Sequence, residues 1–321
     1  MGRIKWTSKI AVMLIAFLSS GCTKSAANTA EQQRAASAVF DQFETVFYAK
    51  GDLLSGSGGY KRLSQQAANT LRVPFANLLQ GLDPLGKQAS AEILGNTDAA
   101  LVGAKDFRAP GGPPPNLGGV QSRFCYVLVL GTRSLFEISK VASKSGVMSS
   151  ADGAAWKWSA PPSEGHAQPY TFYATQVVHS YVLISNNLDD LHALSTKLSA
   201  SDTAPSFSGI RDWESISQHE VWGYRRYRHD EVNKTAAGTS EVMPDAQALA
   251  FSADPKQKTG MLRLFSPTAG TADKMNGTRI LPPFKAAGNG AWETTIPLTG
   301  DQKTSEQMFA AMSWFGFGVY V

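Results

Sequence analysis

Cysteine is scarce in this sequence, and several familiar catalytic motifs are missing. The 321 residues contain two cysteines, Cys22 and Cys125. The sequence has no G-x-S-x-G, no H-E-x-x-H, no P-loop and no G-x-G-x-x-G after a predicted strand. The hydrolase, metalloprotease and nucleotide-binding classes that these motifs mark are therefore not indicated. If Cys22 is modified, as argued below, no intrachain disulfide can form.

The sequence also has little net charge. Its formal net charge is +4, and loss of an amino-terminal segment containing Arg3, Lys5 and Lys9 would lower it to +1. A nearly neutral chain argues against a general nucleic-acid binder. Hydrophobic residues make up 43%, which is typical of a globular protein, and 29 glycines and 16 prolines favour an all-β or α+β body with many turns.

The amino terminus has the pattern of a secretory signal. Three basic residues are followed by an apolar run at residues 10–18 and then by small residues. The apolar run is too short for a membrane-spanning helix, which needs roughly 20 residues. We therefore expect a signal peptide over residues 1–21.

The end of this segment, Leu18-Ser19-Ser20-Gly21-Cys22, resembles the lipobox of bacterial lipoproteins. The resemblance implies cleavage before Cys22, acylation of its sulfur and amine, and a lipidated tether over residues 22–29. Ser19 departs from the pattern, because leucine usually stands there, and an ordinary signal peptide with an incidental cysteine is the alternative. Thr23 replaces the aspartate that retains lipoproteins in the inner membrane, so the resemblance implies the outer membrane, facing the periplasm.

Residues 169–198 predict a strand–strand–helix unit. Two stretches, 170–176 and 181–185, are rich in β-branched and aromatic residues. Asn187 can cap a following helix that has Asp189 and Asp190 in its first turn. Four leucines would lie on one face of that helix: Leu188, Leu191, Leu194 and Leu198.

The same signals predict elements elsewhere in the chain. A capping box at residues 29–32 predicts a helix from about Ala30 to Ala49. Residues 60–94 are expected to be helices interrupted near Pro74 and Pro84, and residues 123–131 form the most apolar strand, expected to be central. The other predictions are a helix at 134–145 with Leu135 inward, a helix at 208–217, a hairpin around residues 254–260, a linker at 268–290 and a closing strand at 314–321.

These elements predict an α+β fold, with mainly antiparallel sheet built from strand–hairpin–helix units and a helical amino-terminal segment. We expect two α+β halves, residues 30–200 and 201–321, packed as one body. The stretches 92–103 and 172–194 resemble uncharacterised secreted bacterial lipoproteins, a resemblance that implies no known activity.

The strand at residues 221–229, VWGYRRYRH, is the most distinctive candidate surface. Alternation places Trp222, Tyr224, Arg226 and Arg228 on one face. Aromatic and arginine side chains together could stack on sugars, peptidoglycan or anionic lipid headgroups. The alternative is a solvated face that covers the sheet. Trp156 and Trp158 form a similar pair, expected to pack under a helix.

We predict no catalytic residue, metal site or cofactor. Cys125 lies in the most apolar strand and is expected to be an inert buried thiol. The pairs His219-Glu220 and His229–Glu231 bracket one strand, roughly 30 Å apart by strand rise, so a shared metal site would need a sharp bend.

The sequence therefore favours a non-enzymatic, membrane-tethered lipoprotein with a binding or structural role in the cell envelope. Its expected partners are the membrane, through the anchor, and an envelope polymer or lipid. One alternative is a carrier in which a curved sheet with helices on one side encloses an apolar cavity. A cell-wall hydrolase would need paired carboxylates or a metal site, and the sequence shows no localised set.

Overall fold

Twelve strands of the described chain pair into one antiparallel sheet. The computed structural model describes residues 30–56, 63–105, 123–131, 134–152, 154–160, 170–200, 204–227, 245–255 and 257–315. The strand order is β11-β12-β10-β9-β8-β1-β2-β3-β7-β6-β5-β4. The strands are β1 Thr45–Lys50, β2 Thr97–Lys105, β3 Arg123–Leu130, β4 Ser149–Ser150, β5 Trp156–Ala160, β6 Tyr170–Val177, β7 Tyr181–Ser185, β8 Val221–Arg226, β9 Ala248–Asp254, β10 Thr259–Phe265, β11 Lys285–Gly288 and β12 Ala291–Pro297.

Helices cover both faces of this sheet. The helices are α1 Ala30–Gln42, α2 Gly51–Ser55, α3 Gln65–Arg72, α4 Ala76–Leu82, α5 Lys87–Gly95, α6 Ile138–Ser145, α7 Leu188–Ser199, α8 Trp213–Ile216, α9 Gly270–Gly277 and α10 Gln302–Trp314. The predicted α+β class, with its amino-terminal helix, is confirmed. None of the helices in the described ranges is both long enough and apolar enough to cross a membrane.

The core is divided by the sheet into two clusters. One lies under α1, α7 and residues 207–216, and the other lies under α2 to α6, α9 and α10. Strand β1 contributes to both, because successive side chains point to opposite faces: Val46 and Tyr48 enter the first cluster, and Phe47 and Ala49 enter the second. A strand buried on both faces reads as a continuous apolar run.

A glycine allows close packing in the middle of the sheet. Gly223 of β8 is paired with Phe47 of β1. A Cβ atom on Gly223 would lie 2.3 Å from the Phe47 ring. The aromatic ring therefore lies against the glycine backbone, and any side chain at 223 would displace it.

The predicted strand–strand–helix unit at residues 169–198 is confirmed. It forms β6, a turn, β7 and α7, and the Asn187 side chain accepts a hydrogen bond from the Asp190 amide at 3.0 Å. Leu191, Leu194 and Leu198 are buried. The short helical turns at Val73–Phe75 and Asp83–Leu85 match the predicted proline interruptions.

The helix predicted for residues 30–49 is wrong in its second half. Helix α1 ends at Gln42, and Thr45–Lys50 forms β1, which pairs with β2 and β8. The apolar residues of this stretch are buried on both faces of the sheet, whereas the prediction placed them on one face of a helix. Pairing with strands that are distant in the sequence made residues 45–50 a strand.

Other predicted boundaries are corrected as well. Leu135 is 91% exposed, because α6 begins only at Ile138. The helix predicted for residues 208–217 is limited to Trp213–Ile216, and the predicted linker at 268–290 contains α9 and β11. Trp314 belongs to helix α10, and residues 316–321 of the predicted closing strand lie outside the described residues.

Candidate functional site

The aromatic residues of β8 do not form an exposed binding surface. Trp222 and Tyr224 are each 1% exposed. The Trp222 indole stacks on the Tyr48 ring, with the ring centroids 5.2 Å apart, and it also stacks on the Phe40 ring of α1. Strand β8 lies between β1 and β9, and α1 covers this face of the sheet. The prediction that these two side chains face solvent is therefore wrong.

The arginines of β8 donate hydrogen bonds to backbone carbonyl groups at the ends of neighbouring helices. Arg226 is half-buried, and its guanidinium donates to the carbonyl oxygens of Phe40 and Phe43 at the end of α1. Arg225 donates to the Trp314 carbonyl at 3.0 Å. Carbonyl groups at helix carboxyl ends lack intrahelical partners, and a cation stabilises them. Arg228 lies outside the described residues, as do Cys22 and His229.

The remaining sequence candidates provide no catalytic centre. Cys125 is fully buried, as predicted, and burial raises the pKa of its thiol far above the usual range. Burial lowers the pKa of His219, which disfavours its charged form. Among the described residues, no group of three or more His, Cys, Asp and Glu side chains could hold a metal ion.

One buried ionic cluster was missed by the sequence analysis. Asp190, 3% exposed, accepts hydrogen bonds from Lys105 Nζ at 2.7 Å, Arg123 Nε at 2.8 Å and Gln42 Nε2 at 3.1 Å. The cluster attaches the start of α7 to the ends of β2 and β3. Because both oxygens of this carboxylate already accept hydrogen bonds from buried or half-buried donors, the arrangement is structural rather than a vacant site.

Two clefts with volumes above 500 Å³ are open at the surface. One, of about 690 Å³, lies between α3 and α10, and amide side chains of Gln65, Asn69 and Gln302 line it together with Phe309, which is 38% exposed. The other, of about 550 Å³, lies beside Trp156. Both volumes fall in the range of small-molecule sites in proteins.

The second cleft, called here the Trp156 cleft, is formed by three segments. They are the start of α6, the β4–β5 connection and the β6–β7 turn. Trp156 is half-buried and packs against the core on one side, so part of its indole is available to a ligand. Polar groups from each segment line the same space: Glu137, Ser139, Ser150 and His179.

Val178 at the rim of this cleft has a strained backbone. Its φ is +44° and its side chain is 66% exposed. A left-handed conformation costs an L-residue roughly 1–2 kcal/mol, and a β-branched residue is among the least suited to it. Strained positions concentrate at binding sites, where the surrounding structure maintains them.

Comparisons with known proteins identify structural neighbours only. No protein-family model matches the chain, and no curated protein matches it significantly. Crystal form I of the Treponema protein TP0453 aligns with a TM-score of 0.44 and 10% identity over 87% of this chain and 96% of that chain. Form III aligns with a TM-score of 0.41 and 13% identity over 87% and 97%, and form IV with 0.39 and 14% over 82% and 92%. Similarities at this level carry no functional argument.

Proposed function

We propose that this chain is an exported protein of the bacterial cell envelope, attached to a membrane by lipid on Cys22, with a binding rather than a catalytic role. The observation that carries the anchor is the order of basic, apolar and small residues ending in Gly21-Cys22. The outer membrane, facing the periplasm, is the proposed address.

The binding role is supported by the Trp156 cleft. It is open to solvent, has the volume of a ligand site and combines apolar with hydrogen-bonding side chains. A hydrolase would need a catalytic pair or a metal, and the described residues contain no group suited to a metal. Cys125, the thiol described by the structure, is inaccessible.

The alternative of a hydrophobic carrier gains no specific support. It assumed helices on one side of the sheet, and that assumption is wrong, because helical side chains pack on both faces. The described clefts are open at the surface and carry polar side chains. An acyl chain is held best where water is excluded from its whole length.

A lipid on Cys22 would keep the body close to its membrane. Helix α1 begins at Ala30, so residues 23–29 would form the tether. Seven extended residues reach roughly 25 Å at most. The ligand of the body would then lie near the leaflet that holds the anchor.

The anchor is tested with a Cys22→Ser variant expressed in a bacterial host. Wild-type protein should incorporate labelled palmitate and sediment with membranes until detergent is added, whereas Cys22→Ser should lose both properties. Cys125→Ala is the matched control, because it removes the other cysteine and should keep both. Unchanged labelling and sedimentation of Cys22→Ser would refute the anchor.

A further inference from the structure

We propose that the Trp156 cleft binds a neutral saccharide, with one sugar ring stacked on the exposed part of the indole. The inference rests on the binding role proposed above and is independent of the lipid anchor. No motif in the sequence marks the site, because three separate segments of the chain form it.

The apolar part of the cleft suits the carbon–hydrogen face of a sugar ring. Trp156 provides a flat aromatic surface, and Ile138, Ala154 and Val178 line the same space. Aromatic side chains that are apolar on the face and polar at the edge are suited to such amphipathic ligands. The indole N–H of Trp156 is a hydrogen-bond donor that suits a ligand hydroxyl.

The polar part of the cleft suits hydroxyl groups. Ser139 and Ser150 contribute hydroxyls, His179 an imidazole and Glu137 a carboxylate. Hydroxyls and imidazoles can both donate and accept hydrogen bonds, as saccharide hydroxyls do. Within the described chain, no lysine or arginine lines this cleft. An anionic ligand such as a phosphate or a lipid headgroup would face the Glu137 carboxylate, and Lys140, which pairs with that carboxylate, is not among the residues that line the cleft.

The carboxylate of Glu137 does not restrict the cleft to cationic ligands. Its Oε1 is paired with Lys140 Nζ at 2.8 Å, and both side chains are about half exposed to solvent. A surface pair of this kind is weak and screened by salt, so Oε1 can exchange Lys140 for a ligand hydroxyl.

The walls of the cleft are held in place before a ligand binds. Gln176 of β6 accepts a hydrogen bond from the Ile138 amide at 2.9 Å and donates one to the Phe136 carbonyl at 2.9 Å. These two bonds fix the segment before α6 against the sheet. Trp156 is paired in register with Ala174 on one side and Ser150 on the other. A pre-formed site loses less conformational entropy on binding.

The test measures saccharide binding by the full chain. The wild-type protein, purified in a detergent without a sugar headgroup, is titrated by calorimetry with a β-1,4-linked N-acetylglucosamine trimer and with maltotriose. The first probe represents wall-type glycan and the second a glucan, so the two arms distinguish the source. We expect binding of at least one probe, weakened about tenfold or more by Trp156→Ala.

Two further variants test whether the saccharide binds in the Trp156 cleft and whether lost binding reflects misfolding of the variant. Ala154→Arg places a large side chain at an exposed position of the cleft and should abolish binding without loss of core packing. Phe309→Ala removes the exposed aromatic ring of the α3–α10 cleft and should bind as wild type does. Circular dichroism confirms that each variant is folded.

The proposal is overturned if neither saccharide binds the wild-type protein, if Ala154→Arg and folded Trp156→Ala bind as tightly as wild type, or if Phe309→Ala abolishes binding. Cys22→Ser should leave saccharide affinity unchanged. Unchanged membrane attachment of Cys22→Ser would therefore refute the anchor alone, and a wild-type protein that is membrane-attached but binds neither saccharide would refute the saccharide site alone.

Discussion

Strands β8 and β5 both contain tryptophan, but the two strands have different neighbours in the sheet. Trp222 of β8 is buried at 1% exposure, whereas Trp156 of β5 is half-buried and lines a cleft. Strand β8 has long neighbours on both sides, and β5 lies beside the two-residue edge strand β4. The comparison shows that the packing around each position, and not the aromatic content of the strand, decides whether a tryptophan is accessible to a ligand, because Trp158 of β5 is itself only 3% exposed.

The largest expected effect concerns the two tryptophans themselves. Trp222→Ala should lower the free energy of unfolding by about 3–5 kcal/mol, as large-to-small changes of buried aromatic residues do. Trp156→Ala should cost less, about 1–2 kcal/mol, since part of its side chain remains solvated. Urea unfolding midpoints of the two variants measure the difference.

Trp222→Phe serves as the control for this pair. It keeps most of the buried ring and removes an indole N–H that has no partner among the described residues. We expect a cost below about 1.5 kcal/mol. Equal destabilisation by Trp222→Ala and Trp156→Ala would contradict the difference in burial on which the comparison rests.

A second, smaller effect tests how tightly β8 is packed. Gly223→Ala should lower the free energy of unfolding by about 1–3 kcal/mol, because the added methyl group would overlap the Phe47 ring. Gly95→Ala is the matched change at the end of α5, where an added Cβ meets nothing within 4 Å. It should be neutral or stabilise by up to about 1 kcal/mol. If thermal unfolding shows the same change in stability for both variants, the Phe47 ring does not pack against Gly223 as closely as described.

The smallest effect concerns the rim of the Trp156 cleft. Val178→Asn should raise the free energy of unfolding by about 0.5–1 kcal/mol, because asparagine tolerates a positive φ better than valine does. Val147→Asn is the control, at an exposed valine outside the left-handed region, and should give no gain. A lower midpoint for Val178→Asn in chemical denaturation would show that its conformation is not strained.

The sequence predicted correctly those elements whose structure depends on residues close by in the chain. The Asn187 cap, the β-branched runs beside it and the leucine spacing of α7 all lie within thirty consecutive residues, and that unit is confirmed. The proline interruptions at residues 73–75 and 83–85 are equally local. Such signals operate through backbone conformation and helix capping, which the nearest residues control.

Predictions failed where distant pairing decides the structure. Val39, Phe43, Val46 and Phe47 have helical spacing, yet residues from Thr45 onward pair with β2 and β8. A short apolar run buried on both sheet faces cannot be told from a buried helix by its periodicity. The burial of Trp222 and Tyr224 depends on strand order in the same way, because alternation along β8 predicts two faces but not which of them neighbouring elements cover.

The central position of β1 also has a consequence for how the chain folds. Lys50 pairs with Glu220, 170 residues later, and Arg226 donates to Phe40 across 186 residues. Contacts of such long range require closure of large loops before they stabilise anything, and chains dominated by them fold slowly. Strand β1 therefore has no partner on its β8 side until residues 221–226 have been synthesised. If the chain is exported unfolded, as proposed above, this delay would keep it competent for translocation until about the last third of the sequence is made.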